Sequence, residues 1–418
     1  MSDSRCTIQH VSSCPPSGGA AQAAIRIHEG LCAIGEDSQW LQAGYPKPDC
    51  KNAFEWKKRK LSLRKIFSGK KSKRKFKKCF SNTTTHTSWA GGFGTFEGFA
   101  KFPKPDVYNF HWVANFLDWR SALPELTKKA PIVWTLHDMN PIQGAWHYLP
   151  EAEELTEERM EWDKIVFDQK KEALSKVSRD SLCFVAPSKW LTNASGNSEL
   201  TGRFETVHIP NGLDTELFYP IEKDLAKESL GIASFQIVIG FIAWDVEDPR
   251  KGMSILIEAL QQLKSSENLI LLTAGKHAKN ISDVPQVDLG FVSGVDSLRQ
   301  FYSACDVFIC PSLQDNLPNT ILESMSCGTP VIANNVGGIP DMVVNNETGI
   351  LMNSKESGSL ANAIDDLTRD KDRLHTFGIQ ARRKIVNSFS IERSAKAYKE
   401  LYMRLIDSHR KNTNNRVE

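Results

Sequence analysis

The stretch from Asp306 to Ala333 constrains the fold of this chain more than any other. Its first apolar run, Asp306 to Pro311, predicts a buried parallel strand, because such strands are covered on both faces and carry few polar residues. A polar loop follows from Gln314 to Asn319, and a helix is predicted from Thr320 to Cys327, closed by Gly328. A second apolar run comes directly afterwards. This alternation of strands and helices predicts the α/β class.

Two carboxylates flank the start of this predicted helix. Asp315 lies in the loop, and Glu323 follows eight residues later in the first turns. The loop amides and the positive end of the helix dipole suit a diphosphate, and the carboxylates can accept hydrogen bonds from sugar or ribose hydroxyls. The pattern predicts a sugar-nucleotide site, while a βα unit with two solvated acids is the alternative. The predicted donor-site residues here are Asp315, Asn316, Leu317, Pro318, Asn319, Thr320 and Glu323.

The same stretch resembles the retaining family-4 glycosyltransferases of GT-B fold, within the glycosyl transferases group 1. Ser326-Cys-Gly-Thr-Pro-Val-Ile-Ala333 and Gly337-Gly-Ile-Pro340 match the strand and turn that follow the Glu-x7-Glu motif of that family. Asp315 stands where the family usually has the first Glu, and it is one methylene shorter. The resemblance implies that Asp315 contacts the donor sugar and that Glu323 contacts the ribose hydroxyls.

A length of 418 residues predicts two domains, each large enough for its own core. The resemblance extends from about residue 8 to 408 and implies two Rossmann-like domains that face a cleft, with a C-terminal helix crossing back to the first domain. We expect an N-terminal acceptor-side domain over 1–208, with a basic insertion at about 56–80. A nucleotide-sugar-binding domain is expected over 209–390, and the crossover helix and tail over 391–418.

A glycine-containing loop separates the predicted strand Ile8 to Ser12 from the predicted helix Ala23 to Leu31. Strand, glycine loop and helix can form a turn that faces a phosphate or a sugar, and a purely structural turn is the alternative. The segment resembles the first loop of the same family. Gly18 and Gly19 are therefore candidate donor-site residues, because a side chain there would obstruct close approach of the backbone.

Two histidines, His111 and His137, stand at the ends of apolar runs that predict strands. Ligands of an open α/β sheet bind at the carboxyl ends of its strands. A structural hydrogen bond is the alternative for a single histidine, but the family has a histidine near the donor sugar, and its members differ in which strand supplies it. Both residues are therefore candidate catalytic residues. We expect Asp138 to orient His137 or to contact the acceptor, and Trp112 to stack on a sugar ring.

The predicted second domain opens with a strand from Gln236 to Ala243 and a helix from Ile255 to Leu263. In the loop between them, Lys251 matches a family lysine whose implied role is to neutralise the leaving diphosphate. Arg250 offers a planar fork to the same phosphates. It substitutes for an earlier arginine of the family, near which this chain has Asp245.

A further predicted strand, Asp288 to Val292, matches the segment that forms the nucleotide-base pocket in the family. The resemblance implies backbone contacts to the donor around Gly290 and Phe291. No metal ion and no cofactor are expected besides the nucleoside-diphosphate sugar as co-substrate, since the resemblance implies a tight clamp on the diphosphate in place of a divalent metal. The residues predicted to take part in catalysis are His137, His111, Lys251 and Asp315.

The segment Lys57 to Lys78 holds 13 of the 52 basic residues and no acidic one, so the rest of the chain has a net charge of −11. Apolar residues are interleaved with these charges or flank them: Trp56, Leu61, Leu63, Ile66, Phe67, Phe76 and Phe80. Contact with an anionic membrane or acceptor, binding of nucleic acid and a solvated loop are three interpretations. Nucleic acid is not expected as a partner, because no recognition motif accompanies the run.

The composition is that of a globular protein, with 40% apolar and 24% charged residues. The nine cysteines are scattered and include no CxxC pair, which favours a reducing compartment. The first residues do not resemble a secretory leader, and no apolar run approaches the length of a membrane span. We therefore expect a cytoplasmic location, at the inner face of the cytoplasmic membrane if the basic segment binds lipid.

Together, the motifs and the resemblance imply transfer of a sugar from a nucleoside-diphosphate sugar to an acceptor hydroxyl with retention of anomeric configuration. The basic segment favours a lipid-linked glycan as acceptor, in the synthesis of surface polysaccharide or lipopolysaccharide. A catalytically silent GT-B protein that binds carbohydrate or membrane is one alternative. A sugar-nucleotide epimerase, which would need no acceptor, is the other.

Overall fold

The computed structural model describes residues 6–56, 67–264, 267–277 and 284–414, without the side chains of 67–70 and 414. The chain divides into two compact units. The first unit combines Met1–Pro210 with Ser394–Glu418, and the second is Asn211–Arg393.

The first unit contains a seven-stranded sheet in which all neighbouring strands are parallel. Its strands are β1 (Thr7–Ser12), β2 (Asp37–Ala43), β3 (Ala53–Trp56), β4 (Val107–Phe110), β5 (Ile132–Thr135), β6 (Leu182–Ala186) and β7 (Glu205–His208). Their order across the sheet is β3-β2-β1-β4-β5-β6-β7. Every residue of β4, β5 and β6 is buried, as expected for strands covered on both faces.

The second unit contains a six-stranded parallel sheet. Its strands are β8 (Ile237–Asp245), β9 (Leu269–Lys276), β10 (Gln286–Asp288), β11 (Val307–Cys310), β12 (Val331–Asn334) and β13 (Gly349–Met352), in the order β10-β9-β8-β11-β12-β13. Two parallel sheets, each with connecting helices, confirm the predicted α/β class.

Helices connect the strands in both units. They are α1 (Gly19–Ala33), α2 (Phe67–Cys79), α3 (Phe96–Phe99), α4 (Trp119–Lys129), α5 (Glu157–Ser175), α6 (Lys189–Asn197), α7 (Lys223–Ser229), α8 (Met253–Gln261), α9 (Val295–Ala304), α10 (Asn319–Ser326), α11 (Ile339–Met342), α12 (Ser357–Thr368), α13 (Lys371–Ser388) and α14 (Ile391–Asn414). Several begin at a capping side chain that accepts a backbone N–H, as Asp118 and Thr156 do. Among the described residues, no helix is both long and apolar enough to cross a membrane.

The last helix, α14, packs on the first unit, as the sequence predicts. Tyr398 and Tyr402 on this helix are each 1% exposed. The hydroxyl of Tyr402 accepts a hydrogen bond of 2.6 Å from Nδ2 of Asn109 on β4, and that of Tyr398 lies 3.1 Å from Oγ1 of Thr135 on β5. Buried aromatic hydroxyls with polar partners attach this helix to the centre of the first sheet.

The aromatic residues in and beside the basic segment lie in the core of the first unit. Phe76 and Phe80 are 3% and 7% exposed and pack on each other, with ring centroids 4.5 Å apart. Trp56 packs against Phe99 at 4.9 Å. These three aromatic side chains are therefore not available to a membrane. The interpretation of the basic segment as a membrane contact had counted them among its apolar residues. Leu61, Leu63 and Ile66 lie outside the described residues, as does the side chain of Phe67.

The predicted strand Asp288 to Val292 is wrong in its position. β10 ends at Asp288, and the chain then turns, because Gly290 has a φ of +62° and donates its N–H to Oδ1 of Asp288 at 3.0 Å. A local side-chain-to-backbone bond of this kind competes with the ladder of a sheet. Gly290 and Phe291 therefore lie in the loop beyond the strand.

Candidate functional site

Three loops meet at the carboxyl edge of the second sheet: those that follow β8, β11 and β12. The N–H of Leu313 donates to the carbonyl of Arg250 at 2.7 Å, and the N–H of Gly338 donates to that of Asn316 at 2.8 Å. The carboxyl edge of an open α/β sheet is where ligands bind. These backbone bonds hold residues that are distant in the sequence at one place on that edge.

Two glycines make this approach of the loops sterically possible. Gly252 has a φ of +73°, and a Cβ there would lie 2.1 Å from the carbonyl oxygen of Pro311. Gly337 has a φ of +55°, and a Cβ would lie 1.7 Å from the carbonyl oxygen of Asp315. Side chains with a Cβ rarely adopt such φ values and would clash with the facing backbone. Both positions therefore require glycine.

The side chains of Lys251 and Asp315 form an ion pair across two of these loops, with 2.6 Å between Nζ and Oδ2. The side chain of Lys251 is 29% exposed and that of Asp315 is 9% exposed. Burial by itself would lower the pKa of Lys251, but the Asp315 carboxylate outweighs it, and the pKa is raised. Lys251 is therefore a cation at neutral pH, held at the carboxyl edge of the sheet.

The N-terminus of α10 opens beside this ion pair. Asn316, Leu317 and Pro318 are buried in front of the helix, and Asn319 and Thr320 in its first turn are half-buried. The N-cap residue, Pro318, makes no side-chain cap, and the first turn contains no acidic residue. The positive end of a helix dipole favours a bound anion.

Glu323 lies on α10 and is only 5% exposed. Its Oε2 accepts a hydrogen bond of 2.8 Å from the hydroxyl of Tyr302 on α9, which is fully buried. This bond fixes the rotamer of the carboxylate. Sequence reasoning did not identify Tyr302, because a tyrosine on the inner face of a helix has the same pattern as any core residue.

Arg250 lies in the same loop as Lys251, but its guanidinium is paired locally. Its Nη2 lies 2.6 Å from Oδ2 of Asp248, and the N–H of Arg250 donates to Oδ1 of the same aspartate. The guanidinium that was predicted to contact the phosphates is thus held within its own loop by Asp248. To contact a phosphate, it would have to leave Asp248 or bind both groups at once.

Phe291, beyond β10, lies against Trp244 at the end of β8. The ring centroids are 4.8 Å apart with an interplanar angle of 83°, and the two residues are 48% and 42% exposed. Nζ of Lys276 lies 4.8 Å from the centroid of Trp244. Exposed aromatic rings at the carboxyl edge offer a stacking surface to a nucleobase. Sequence reasoning missed Trp244, although a tryptophan at the carboxyl end of an apolar strand was a usable signal.

One group of side chains at this edge has the chemistry of a metal site. Ligand atoms of Asp245, Glu247 and His277 lie within 4.8 Å of one another. Nδ1 of His277 is 3.0 Å from Oδ1 of Asp245, and this hydrogen bond raises the pKa of His277. A divalent cation could bind these two carboxylates and the imidazole. No metal ion was predicted from the sequence. Clusters of exposed acidic residues are common in proteins without a bound metal ion, so the geometry alone does not assign one here.

In the first unit, His111 and His137 belong to a row of three imidazoles. Nδ1 of His10 lies 2.8 Å from Nε2 of His111, and Nδ1 of His111 lies 3.1 Å from Nε2 of His137. His10 and His111 are buried, and His137 is half-buried. Both ring nitrogens of His111 are therefore engaged by neighbouring histidines. Burial lowers the pKa of His137 to about 4 and those of His10 and His111 well below their usual value, so all three rings are neutral at pH 7.

Asp138 orients His147 rather than its neighbour His137. Its Oδ2 accepts hydrogen bonds from Nδ1 of His147 at 2.5 Å and from Nε1 of Trp112 at 2.8 Å, and its Oδ1 accepts the N–H of Asn140 at 2.9 Å. Burial would raise the pKa of Asp138, but His147 and these hydrogen bonds outweigh it and lower the pKa to about 2. The expected Asp138–His137 bond is not among the described contacts. The indole of Trp112 lies 5.3 Å from the ring of His147.

Gly18 and Gly19 lie where β1 is followed by α1. Gly18 is the N-cap residue of α1, and Gly19 is the first residue of the helix. The φ of Gly18 is −77°, which any residue can adopt, so the reason for glycine there is space. A Cβ would lie 3.2 Å from Sγ of Cys14 and 3.3 Å from the carbonyl oxygen of Pro15.

The structure thus brings the predicted site residues together in two sets, one in each unit. Lys251, the segment Asp315 to Thr320 and Glu323 form the first set, with Phe291 at the same edge of the second sheet. Gly18 and the histidine row form the other set, at the carboxyl ends of β1, β4 and β5. A cavity of about 870 Å³ lies at the opposite edge of the second sheet, between α7 and α13, and none of the predicted site residues line it.

Residues 236–370 match the family model described as glycosyl transferases group 1. Over 224 residues, or 48% of the chain, the sequence is 29% identical to the alpha-maltose-1-phosphate synthase of Mycolicibacterium smegmatis, of which 57% is covered. Over 211 residues, or 47% of the chain, it is 29% identical to the Escherichia coli UDP-Gal:alpha-D-GlcNAc-diphosphoundecaprenol alpha-1,3-galactosyltransferase, of which 54% is covered. The chain thus spans about half the length of the curated relatives it matches.

Among solved structures, the fold is similar to that of a sucrose-phosphate synthase from Thermosynechococcus elongatus. The TM-score is 0.71 at 20% sequence identity, with 97% of this chain and all of the other chain covered. The structure of WaaG, a glycosyltransferase involved in lipopolysaccharide biosynthesis, gives a TM-score of 0.62 at 14% identity, with 93% of this chain and 98% of the other covered. These likenesses concern the fold alone, and they confirm the predicted GT-B architecture.

Proposed function

We propose, on the premise that residues 236–370 belong to the glycosyl transferases group 1 family, that this chain transfers a sugar from a nucleoside-diphosphate sugar to an acceptor hydroxyl. The observation that carries the proposal is the convergence of Lys251, Asp315 and Glu323 beside the N-terminus of α10. A cation, a helix N-terminus and two carboxylates are what a sugar joined to a nucleotide through a diphosphate requires.

Each group has a role in binding the donor. The ammonium of Lys251 and the first N–H groups of α10 bind the diphosphate through charge-assisted hydrogen bonds. Asp315 accepts hydrogen bonds from hydroxyls of the donor sugar, and Glu323, fixed by Tyr302, accepts those of the ribose. The exposed rings of Trp244 and Phe291 form the stacking surface for the base.

In the proposed reaction, the bond between the anomeric carbon and the phosphate oxygen breaks as the acceptor oxygen bonds to the same carbon. The nucleoside diphosphate leaves with the bonding electron pair, and the proton of the acceptor hydroxyl passes to an oxygen of the leaving phosphate. Lys251 and the α10 N-terminus stabilise the negative charge that grows on this phosphate. Attack on the face from which the diphosphate leaves gives retention, as the motif around Asp315 implies. The proposed step uses Lys251 and the α10 N-terminus, and not a metal ion, to stabilise this charge.

The proposed acceptor is a lipid-linked glycan. One relative, 29% identical over 211 residues, has a name that specifies a sugar joined to diphosphoundecaprenol as its acceptor. The basic helix α2 also supports this choice. Its buried residue Phe76 faces the core, while its described basic side chains on the other side are exposed: Lys71, Arg74, Lys75, Lys77 and Lys78. Because the described apolar side chains of α2 point inward, contact with an anionic bilayer at the cytoplasmic face would be electrostatic.

A glycosyl-transfer assay tests the proposal. The full-length protein is incubated with UDP-, GDP-, ADP- and dTDP-sugars, with and without lipid-linked oligosaccharide acceptors, and release of nucleoside diphosphate is measured. We expect one nucleotide class to be consumed only when an acceptor is present, and the anomeric configuration of the product to be that of the donor. Rearrangement of the sugar without any acceptor would identify an epimerase instead. A folded protein that binds no sugar nucleotide would be a silent binding protein.

A further inference from the structure

The cavity of about 870 Å³ lies at the amino edge of the second sheet, and all of its lining residues belong to the second unit. They include Gln236 and Ile237 at the start of β8 and Thr329 just before β12. Strand β8 has nine residues, so this edge is roughly 25 Å from the carboxyl edge that holds Lys251 and Asp315. The cavity is therefore separate from the proposed donor site.

Apolar side chains form much of the surface of this cavity. Phe235, Ile379 and Val386 line it and are 69%, 53% and 39% exposed. The half-buried apolar residues of the lining are Ile221, Ile237 and Leu374. Pockets for small molecules typically have volumes of about 300 to 1,000 Å³ and mostly apolar walls with a few polar groups. An exposed apolar surface inside a cavity of this size marks a binding site for a ligand with an apolar part.

The wall formed by α13 adds only positive charge to this apolar surface. Lys371, Arg382 and Arg383 on this helix line the cavity, and no acidic residue of α13 does. The guanidinium of Arg382 is engaged by the fold, since it donates to the carbonyls of Phe218 and Ser326 at 3.1 and 2.7 Å. Lys371 and Arg383 are exposed and make no ion pair with any described residue. Two cations beside the apolar surface are therefore available to an anion.

The acidic lining residues lie outside α13, and two of them are already engaged. Asp306 pairs with Lys223 at 3.0 Å and with Lys227 at 2.8 Å. The carboxylate of Glu222 caps α7 by accepting a backbone N–H at 2.8 Å. Five lysines and arginines and three acidic residues line the cavity in all, which gives the lining a net charge of +2. The charge of the cavity is thus complementary to that of an anion.

We propose that this cavity binds an anionic amphiphile, a small molecule in which an apolar chain ends in a phosphate or a carboxylate. The chain packs on Phe235, Ile379 and Val386, which removes their apolar surface from water. The head group binds Lys371 or Arg383 through charge-assisted hydrogen bonds. Ile379 and Arg383 are four residues apart on one face of α13, so a single ligand can contact both. The proposal does not depend on sugar transfer.

Calorimetry on the full chain tests the proposal with four probes. Octyl phosphate and octanoate carry both parts of the ligand, 1-octanol carries only the chain, and inorganic phosphate carries only the head group. We expect at least one of the two amphiphiles to bind with a stoichiometry of one, and the other two probes to bind at least tenfold more weakly. The amphiphile that binds more tightly identifies the head group. Absence of binding by both amphiphiles, or equal binding of 1-octanol, would overturn the proposal.

Two substitutions at exposed positions of α13 locate the binding. Ile379→Asp places a negative charge in the apolar wall, and Arg383→Gln removes a cation, so each should weaken binding at least tenfold. Leu225→Asp and Arg393→Gln are the matched controls, because both residues are exposed in the second unit and do not line the cavity. They should bind the amphiphile as the native chain does. Circular dichroism confirms that each variant is folded.

Unchanged affinity in both Ile379→Asp and Arg383→Gln would place the ligand elsewhere and overturn the proposal. Light scattering over a range of protein concentrations tests the other occupant that an apolar surface could have, a second copy of this chain. A dimer that Ile379→Asp abolishes, together with no binding of either amphiphile, would assign the surface to that second copy instead.

Discussion

Lys251 and Asp315 form a 2.6 Å ion pair although they are 64 positions apart in the sequence. The pair exists because Gly252 and Gly337 allow the loops after β8 and β12 to lie directly on the loop after β11. An exposed ion pair would contribute little to stability, but this one is largely buried and lies beside a helix N-terminus. It keeps a lysine charged and oriented at the place where we propose that the diphosphate binds.

Tyr302 is expected to support Glu323 in binding the donor. Tyr302→Phe removes the hydroxyl that donates to Oε2 of this buried carboxylate, which costs about 1 to 3 kcal/mol of unfolding free energy. The carboxylate then loses its fixed rotamer, so we expect weaker binding of the nucleotide sugar as well. Urea unfolding and calorimetry measure the two effects.

A matched control for this substitution is Tyr398→Phe, which removes a buried hydroxyl that contacts Thr135 in the first unit. It should lower stability to a similar extent but leave donor affinity unchanged. Equal donor affinity in Tyr302→Phe and the native protein would remove Tyr302 from the site.

Gly252→Ala should disrupt the junction of the loops. The new Cβ would lie 2.1 Å from the carbonyl oxygen of Pro311 in a backbone conformation with φ of +73°, which we expect to cost about 2 to 4 kcal/mol. Displacement of the loop also separates Lys251 from Asp315, so donor binding should be lost. Gly231→Ala is the control, since φ is +72° there but no described atom lies within 4 Å of the added Cβ. That substitution should lower the free energy of unfolding by about 1 to 2 kcal/mol, and the variant should bind the donor normally.

The histidine row should make the first unit sensitive to acid. Burial lowers the pKa of His10, His111 and His137 below the usual 6.5, to about 4 for His137. Below pH 6.5 the unfolded chain therefore binds protons that the folded chain does not, and stability falls as pH falls. Three such sites give a slope of about 4 kcal/mol per pH unit at most. His28, which faces His10, also has a lowered pKa and adds to this slope. The Asp138 carboxylate next to His137 raises the pKa of His137 and so reduces the contribution of that residue.

Urea unfolding at a series of pH values between 4.5 and 7, monitored by tryptophan fluorescence, measures the slope. In His137→Asn the slope should be smaller by about 1.4 kcal/mol per pH unit, the contribution of one proton. His375→Asn, at an exposed position of the second unit, should leave it unchanged. A native chain whose stability is constant from pH 7 to 4.5 would contradict the neutral, buried row.

The exposed basic side chains of α2 should control any binding to lipid. Replacement of Lys71, Arg74, Lys75, Lys77 and Lys78 by Gln removes charges that each contribute about 1 kcal/mol at an anionic surface. We expect at least a hundredfold loss of affinity for vesicles with phosphatidylglycerol, and the native binding itself to weaken at high salt. Vesicles of neutral lipid alone are the control. Equal binding of the variant and the native protein would exclude α2 as a membrane-binding element.

Much of the fold could be predicted from the sequence, because parallel strands are nearly continuous apolar runs between turn residues. The strands β8, β11 and β12 follow from this pattern, and the return of helix α14 to the first unit is implied by the family resemblance. The edge strands β3 and β10 do not, because most of their residues are exposed or half-buried and form no continuous apolar run. Asp288 also shows that a side-chain hydrogen bond can end a strand where the apolar pattern continues.

The residues that meet at the carboxyl edge of the second sheet were more readily predicted than the contacts that their side chains make. Lys251, Asp315 and Glu323 stand in local motifs, but the bonds of Glu323 to Tyr302 and of Asp138 to His147 depend on packing between elements. Likewise, the burial of Phe76 within a strongly basic helix results from contacts with distant residues. Sequence patterns indicated which residues could bind a ligand, whereas the contacts of each of these side chains are determined by the tertiary fold.

Binding of sugar nucleotides to the second unit tests the central claim most directly. Calorimetry is performed on the native chain, Lys251→Met and the control Lys371→Met, which removes the same charge at the opposite edge of the sheet. We predict that one nucleotide-sugar class binds, that Lys251→Met weakens it about tenfold to a hundredfold, and that Lys371→Met has no effect. Native-like affinity in Lys251→Met, or no binding by the well-folded native protein, would contradict the assignment of a donor site at Lys251, Asp315 and Glu323.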